Sequence, residues 1–137
     1  MEHDEIRTTT MFNLLLAPAV TVEVELEYST TDPYAIRMLF NPLRGKSVEW
    51  IVARELLADG LLGKAGEGDV KIWPISGPMD LVEIEFSTPA GLARFGADAE
   101  VLADFLNDSY LLVPSGEESL WFDFDHELTF LSDAERG

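Results

Sequence analysis

From Val20 to Tyr28 the chain alternates strictly, with Val20, Val22, Val24, Leu26 and Tyr28 interleaved with Thr21, Glu23, Glu25 and Glu27. A period of two places the apolar side chains on one face of a strand and the glutamates on the other. Val82, Ile84 and Phe86 interleave with Glu83 and Glu85 in the same way, which predicts another strand with an acidic outer face. Strands buried on one face only belong to antiparallel sheets. Thr8 to Ala17 reads as the first strand, closed at Ala17-Pro18-Ala19 because proline cannot donate to a ladder. Tyr34 to Phe40 and Ser47 to Val52 read as the third and fourth. Asp32-Pro33 and Asn41-Pro42 supply the turn chemistry before each. Four strands with short connections predict a meander.

After Val52 the period lengthens. Ala53, Leu56 and Leu57 follow helical spacing, and Gly60 stands where a helix C-terminal glycine is expected. Asp69 to Ile75 and Asp80 to Ser87 predict a hairpin across Ser76-Gly77-Pro78, with a brief strand from Gly91 to Phe95. Asp98 to Tyr110 is the strongest helical pattern, with Val101, Leu102, Phe105 and Leu106 inward and Asp98 at the cap. The aromatic tail, Trp121 to Leu131, is expected to dock on the core. No linker or low-complexity tract interrupts the chain, so 1–137 reads as one domain of the α+β class.

Charge narrows the function classes. The chain has 26 Asp+Glu against 9 Lys+Arg, a formal charge of −17, and no cysteine. Thiolate zinc sites, disulfides and cysteine nucleophiles are thereby excluded. Binding to nucleic acid or anionic membrane is driven by cations, and these are scarce. Residues 98–137 carry eleven acids against Arg136 alone, whereas residues 37–71 are almost neutral. The acidic opening Met1-Glu2-His3-Asp4-Glu5 and the short apolar run Leu14 to Ala17 resemble neither an export signal nor a membrane span, so a cytoplasmic protein is expected.

Candidate chemistry is thin. Gly60, Gly63, Gly66 and Gly68 beside Lys64 lack the spacing of a phosphate loop and read as a tight turn. Asp123-Phe124-Asp125-His126-Glu127 offers hard oxygen ligands, but Leu128 and Ala134 stand where a calcium loop needs Gly and Glu. The histidines are His3, in a terminus expected to be mobile, and His126, too little material for a triad or a multi-histidine site. No catalytic residues, metal site or cofactor site are assigned. The outward acids Glu23, Glu25, Glu27, Glu83 and Glu85 are the first candidates for a partner surface. Glu100, Asp104 and Asp108, spaced by four on the long helix, come second.

Longer blocks carry more information. Tyr28 through Phe40, Val48 through Leu61, Gly66-Glu67-Gly68-Asp69-Val70-Lys71-Ile72-Trp73-Pro74, Ser87-Thr88-Pro89-Ala90-Gly91 and Phe122-Asp123-Phe124-Asp125-His126-Glu127-Leu128 occur in one order. Together they resemble the SsgA-like family of sporulation and cell-division proteins of actinobacteria, over roughly residues 10–131. The first strand and the Arg44-Gly45-Lys46 loop depart from better-known members. The subfamily lies between a member that helps position the division ring and paralogues acting in septum or spore-wall maturation.

The resemblance implies a non-enzymatic protein with a whirly-like fold, two antiparallel four-stranded sheets plus helices, assembling as a homotrimer. It implies that the chain helps localise the division machinery, through the tubulin-like FtsZ or an SsgA-like paralogue, at septa. Whirly-like folds elsewhere bind single-stranded nucleic acid through basic, aromatic-bearing sheets. That alternative meets an acidic sheet face here, and no nucleic-acid partner is expected. Among the block residues, Asp32, Pro33, Tyr34, Trp50, Gly68, Asp69 and Trp73 read as structural, and Arg37 and Arg54 are expected to pair with carboxylates.

Overall fold

The alternation is realised as pleat. In the computed structural model, which describes residues 2–121, Val24, Leu26 and Tyr28 of β2 (Thr21–Ser29) are fully buried, and Glu23, Glu25 and Glu27 stand on the opposite face. β1 (Glu5–Leu14), β2, β3 (Ala35–Asn41) and β4 (Val48–Ala53) form the expected antiparallel meander, with Thr9, Glu25, Leu39 and Glu49 in one cross-strand row. The helix α1 (Arg54–Leu62) follows. β5 (Val70–Ile75), β6 (Leu81–Thr88) and β7 (Gly91–Asp98) make a second antiparallel meander, and α2 (Ala99–Leu112) packs on β1, β6, β7 and α1.

The expected two sheets are one sheet. Among the described residues seven strands run in the order β4-β3-β2-β1-β7-β6-β5. The meanders join through Asn13↔Gly96 and Leu14↔Phe95, extended by a hydrogen bond from Leu15 N to Arg94 O at 3.3 Å. Alternation tells which face a residue takes but not which distant strand lies beside it. The sheet then curls on itself. Phe40 of β3 lies 5.5 Å from Phe86 of β6 and 5.1 Å from Phe95 of β7, although β2 and β1 separate β3 from β7 in the ladder. Burying these rings, with Phe12 beside them, is worth about 2 kcal/mol per large side chain plus the edge-on ring contacts.

Element boundaries moved for local reasons. β1 starts at Glu5 and stops at Leu14, because the chain reverses there. Ala17 N donates to Leu14 O at 3.2 Å, and Val20 N donates to Ala17 O at 2.8 Å. β7 continues past Phe95 because Gly96 and Ala97 keep pairing with Glu83 and Val82. Gly60 is not a cap. It is buried inside α1, and a Cβ there would sit 2.5 Å from the Cβ of Ile72, so the glycine lets α1 lie directly on β5. Gly66, at φ 100°, turns the chain from α1 into β5, and a side chain there would meet Val70 O. The Asp98 cap stands as expected: its Oδ1 accepts from Glu100 N at 2.9 Å and Val101 N at 3.4 Å.

Candidate functional site

The outward face of the first meander carries the glutamate row, but basic residues interrupt it. Glu23 is exposed, while Glu25 and Glu27 are half-buried between arginines. Arg37 on β3 reaches Glu49 Oε2 at 2.7 Å and Glu27 Oε1 at 3.1 Å. Arg7 on β1 reaches Glu5 at 2.6 Å, Glu27 at 3.5 Å and Glu25 at 3.6 Å. The hydrogen bond from Arg37 holds the Glu49 carboxyl below the usual range, and the glutamates raise both guanidinium groups. Exposed pairs of this kind contribute about 0–1 kcal/mol each. This face is therefore an interleaved ion-pair ladder. Arg7 lies one step before the expected start of β1 at Thr8, and it continues the alternation Asn13, Met11, Thr9 that marks the outward face.

Glu83 and Glu85 lie on the same outward face but in the second meander, with β1 and β7 between them and β2. Both are half-buried. Glu85 stands opposite Lys71 and Arg94, with Arg94 at 3.7 Å. Burial raises the Glu83 carboxyl, opposed by Arg94 and reinforced by Glu85. Glu100, Asp104 and Asp108 are exposed along α2.

Four of the block residues, Asp32, Pro33, Tyr34 and Arg54, build a corner at the far end of β2. Asp32 and Pro33 form the turn into β3, with Ala35 N bonded to Asp32 O at 3.3 Å. Tyr28 Oη donates to Pro33 O at 2.9 Å, and Arg54 N donates to Tyr34 O at 2.8 Å. Of the other block residues, Asp69 O accepts from Ser87 N at 2.8 Å just after Gly68, Lys64 Nζ lies 5.7 Å from the Trp73 ring, and Trp50, at the other end of the strands, lies 4.6 Å from the tilted ring of Phe86. Arg54 is 1% exposed. Its guanidinium donates to Glu118 Oε1 at 2.7 Å, Val113 O at 2.8 Å and Ser109 O at 3.2 Å, so it caps the carbonyl end of α2. It lies between the rings of Tyr28 and Tyr110, at 4.9 and 4.4 Å. Burial pushes the Tyr28 hydroxyl up to about 12, and Arg54 partly opposes the shift. Glu118, 64 residues away in sequence, was not legible as the partner.

The amino-terminal segment is anchored at this corner rather than mobile. His3 Nδ1 lies 3.0 Å from Thr30 Oγ1, Asp4 N donates to the same oxygen at 2.9 Å, and the His3 ring is 5.6 Å from Trp121. The Asp123–Glu127 cluster and the tail beyond Trp121 lie outside the described residues.

At the opposite end of the strands the curl stays open. A cleft of about 470 Å³ has Phe40, Trp50, Phe86 and Phe95 as its floor and Val20, Pro42, Leu43 and Val48 at its mouth. Among the described residues no charged side chain lines it, and neither α1 nor α2 contributes to its lining. Leu43 is fully exposed, and Val20 and Val48 about half. No helix among the described residues is long and apolar enough to cross a membrane.

A curled antiparallel sheet with a ladder of paired charges outside and an open apolar cleft at one end defines a β-rich protein built to present surfaces. Comparison with known proteins places it more finely. Residues 22–118 match the family model described as Streptomyces sporulation and cell division protein, SsgA. The chain is 48% identical over 132 residues to the sporulation-specific cell division protein SsgB of Saccharopolyspora erythraea, covering 95% of this chain and 94% of that one. It is 47% identical over 110 residues to SsgB of Thermobifida fusca, covering 80% of each. The crystal structure of an SsgA-like sporulation-specific cell division protein from Thermobifida fusca superposes with a TM-score of 0.85 at 42% identity, covering 92% of this chain and 94% of that one. A structure described under mutations in SsgB and longitudinal division during sporulation of Streptomyces coelicolor gives 0.82 at 34% identity, covering 87% and 96%. The chain belongs to the SsgA-like family and is an SsgB-like member of it. That membership gives it a role in sporulation-associated cell division.

Proposed function

We propose that the protein is a non-enzymatic assembly factor of sporulation septation, a homotrimer that recruits FtsZ or an SsgA-like paralogue to septum sites. The observation that carries this reading is the end-to-end match to SsgB proteins, over 94–95% of both chains with that of Saccharopolyspora erythraea. The outward glutamates remain the proposed docking row, centred on Glu23, which is exposed and, among the described residues, forms no ion pair. Exposed Met11, Ile51, Leu62 and Leu111 supply apolar surface for association between copies.

The test is co-sedimentation of the purified protein with FtsZ polymers, and separately with the paralogue, against a charge-matched acidic control. Glu23→Lys isolates the docking row, because reversing Glu25 or Glu27 would also set like charges beside Arg7 and Arg37. Retention above the control that Glu23→Lys weakens supports the reading. Recovery equal to the control for both proteins sinks it.

A further inference from the structure

We propose that the open cleft binds an extended acidic peptide of a partner protein, taking two or three large apolar side chains between Trp50 and Leu43 while its carboxylates face Arg44 and Lys46. The cleft has the size and apolar lining of a peptide-anchor pocket, about 470 Å³ over an aromatic floor. Its surroundings invert the character of the rest of the chain. Residues 14–22 and 86–93, which form two of its walls, contain no charged residue, and residues 40–48, which form the third, contain Arg44 and Lys46 and no acid. Both bases sit on the turn between the lining residues Leu43 and Val48, are exposed, and form no ion pair among the described residues.

Glu23 and Glu49 adjoin the lining residues Val22 and Val48 but alternate onto the outward face of the pleat, so in a chain of net charge −17 an acidic segment at this cleft is met by the two exposed cations of its turn. The apolar floor then supplies the affinity that two exposed cations cannot. A second copy presenting the same end across a two-fold axis would oppose Arg44 and Lys46 with their own counterparts, which argues against a two-fold contact here; a heterologous contact between copies is an outcome of the test below. The inference deepens the recruitment reading and rests on it only for where the partner comes from. Peptide binding can fail while co-sedimentation with division proteins succeeds, and the reverse.

The experiment uses short synthetic peptides in which Asp and Glu alternate with Leu and Phe, titrated against the full chain. Trp50 is the reporter: with Trp73→Phe and Trp121→Phe in place it is the one remaining tryptophan, and it sits in the cleft. Should that background fold poorly, anisotropy of the labelled peptide on the unsubstituted chain gives the same isotherm. The acidic peptide is expected to saturate in the micromolar range with a change in Trp50 emission. Replacing its acids with Lys, or its Leu and Phe with Ser, should weaken binding at least tenfold. Arg44→Glu with Lys46→Glu, and separately Leu43→Ser, should each do the same, because all three residues are exposed and their loss leaves the core intact. Equal affinity for the acidic and Lys peptides overturns the proposal. So does displacement of the peptide by single-stranded oligothymidylate, or tighter binding of a peptide copying residues 122–131, which would assign the cleft to the chain's own tail. Loss of oligomer in Leu43→Ser with peptide affinity unchanged would assign it to a contact between copies.

Discussion

Removing Glu118 tests the energetics of the buried corner more sharply than removing Arg54. In Glu118→Ala the Arg54 side chain, 2% exposed, keeps its charge and loses its carboxylate. Breaking a buried pair in this direction costs about 3–5 kcal/mol. Arg54 retains the carbonyls of Ser109 and Val113 and both tyrosine rings, and a neighbouring cleft of about 300 Å³ admits water. The lower end, about 3 kcal/mol, is therefore expected. Arg54→Met leaves a carboxylate that is 17% exposed and can rehydrate. It loses the charged hydrogen bonds to Val113 O and Ser109 O and two ring contacts, partly offset because no guanidinium is desolvated, for about 2 kcal/mol. The double substitution should cost at least about 1 kcal/mol less than the two singles together, since neither orphan then remains. Urea unfolding at fixed protein concentration reads all three, and Glu118→Ala should lower the melting temperature by about 10 °C. A Glu118→Ala cost under about 0.5 kcal/mol, or strict additivity, would refute the claim that the corner is held by charge.

Further outcomes follow from the same geometry. Burial opposes ionisation of Glu118, but its bonds to Arg54 and the Gly116 amide win and leave its carboxyl below the usual range, as Arg37 does for Glu49. Both groups stabilise the fold at neutral pH, and that stability should fade in urea titrations as pH drops through and below the ordinary carboxylate range. Glu83 has the opposite sign: its raised pKa disfavours the folded state once ionised, so Glu83→Gln should match or exceed the unsubstituted chain at pH 7 and lose that advantage in acid. Light scattering at low and high salt should give a trimer mass at both, because apolar contacts carry the proposed assembly; a monomer at tens of micromolar would reject it. Fluorescence anisotropy at physiological salt should detect no saturable binding of single-stranded DNA, since Arg7 and Arg37 on the sheet face are paired with glutamates and Arg44 and Lys46 alone make too small a basic patch; micromolar binding with a steep salt dependence would contradict this.

What the sequence disclosed depends on the range of the interaction. Alternation around Glu23–Glu27 and Glu83–Glu85 placed each side chain on the correct face, because the pleat is a local property. The Asp98 cap and the Asp32-Pro33 turn were legible for the same reason. The junction of β1 with β7 was not, since two register pairs in an apolar stretch leave no periodic trace. Gly60 illustrates a second limit. A glycine near a helix end reads as a cap, and only the crossing of β5 reveals that it makes room for Ile72. The cleft combines both limits, drawing its floor from β3, β4, β6 and β7 and its basic rim from a turn whose chemistry alone reads as solvated surface.

The recruitment role itself is tested most directly in the producing organism, by deleting the gene and following septa with fluorescently labelled FtsZ. Vegetative growth should continue while the regular ladder of sporulation septa fails to form, and the unsubstituted gene, carrying a fluorescent tag, should restore it and mark each septum. Normal placement of sporulation septa in the deletion strain would contradict that role.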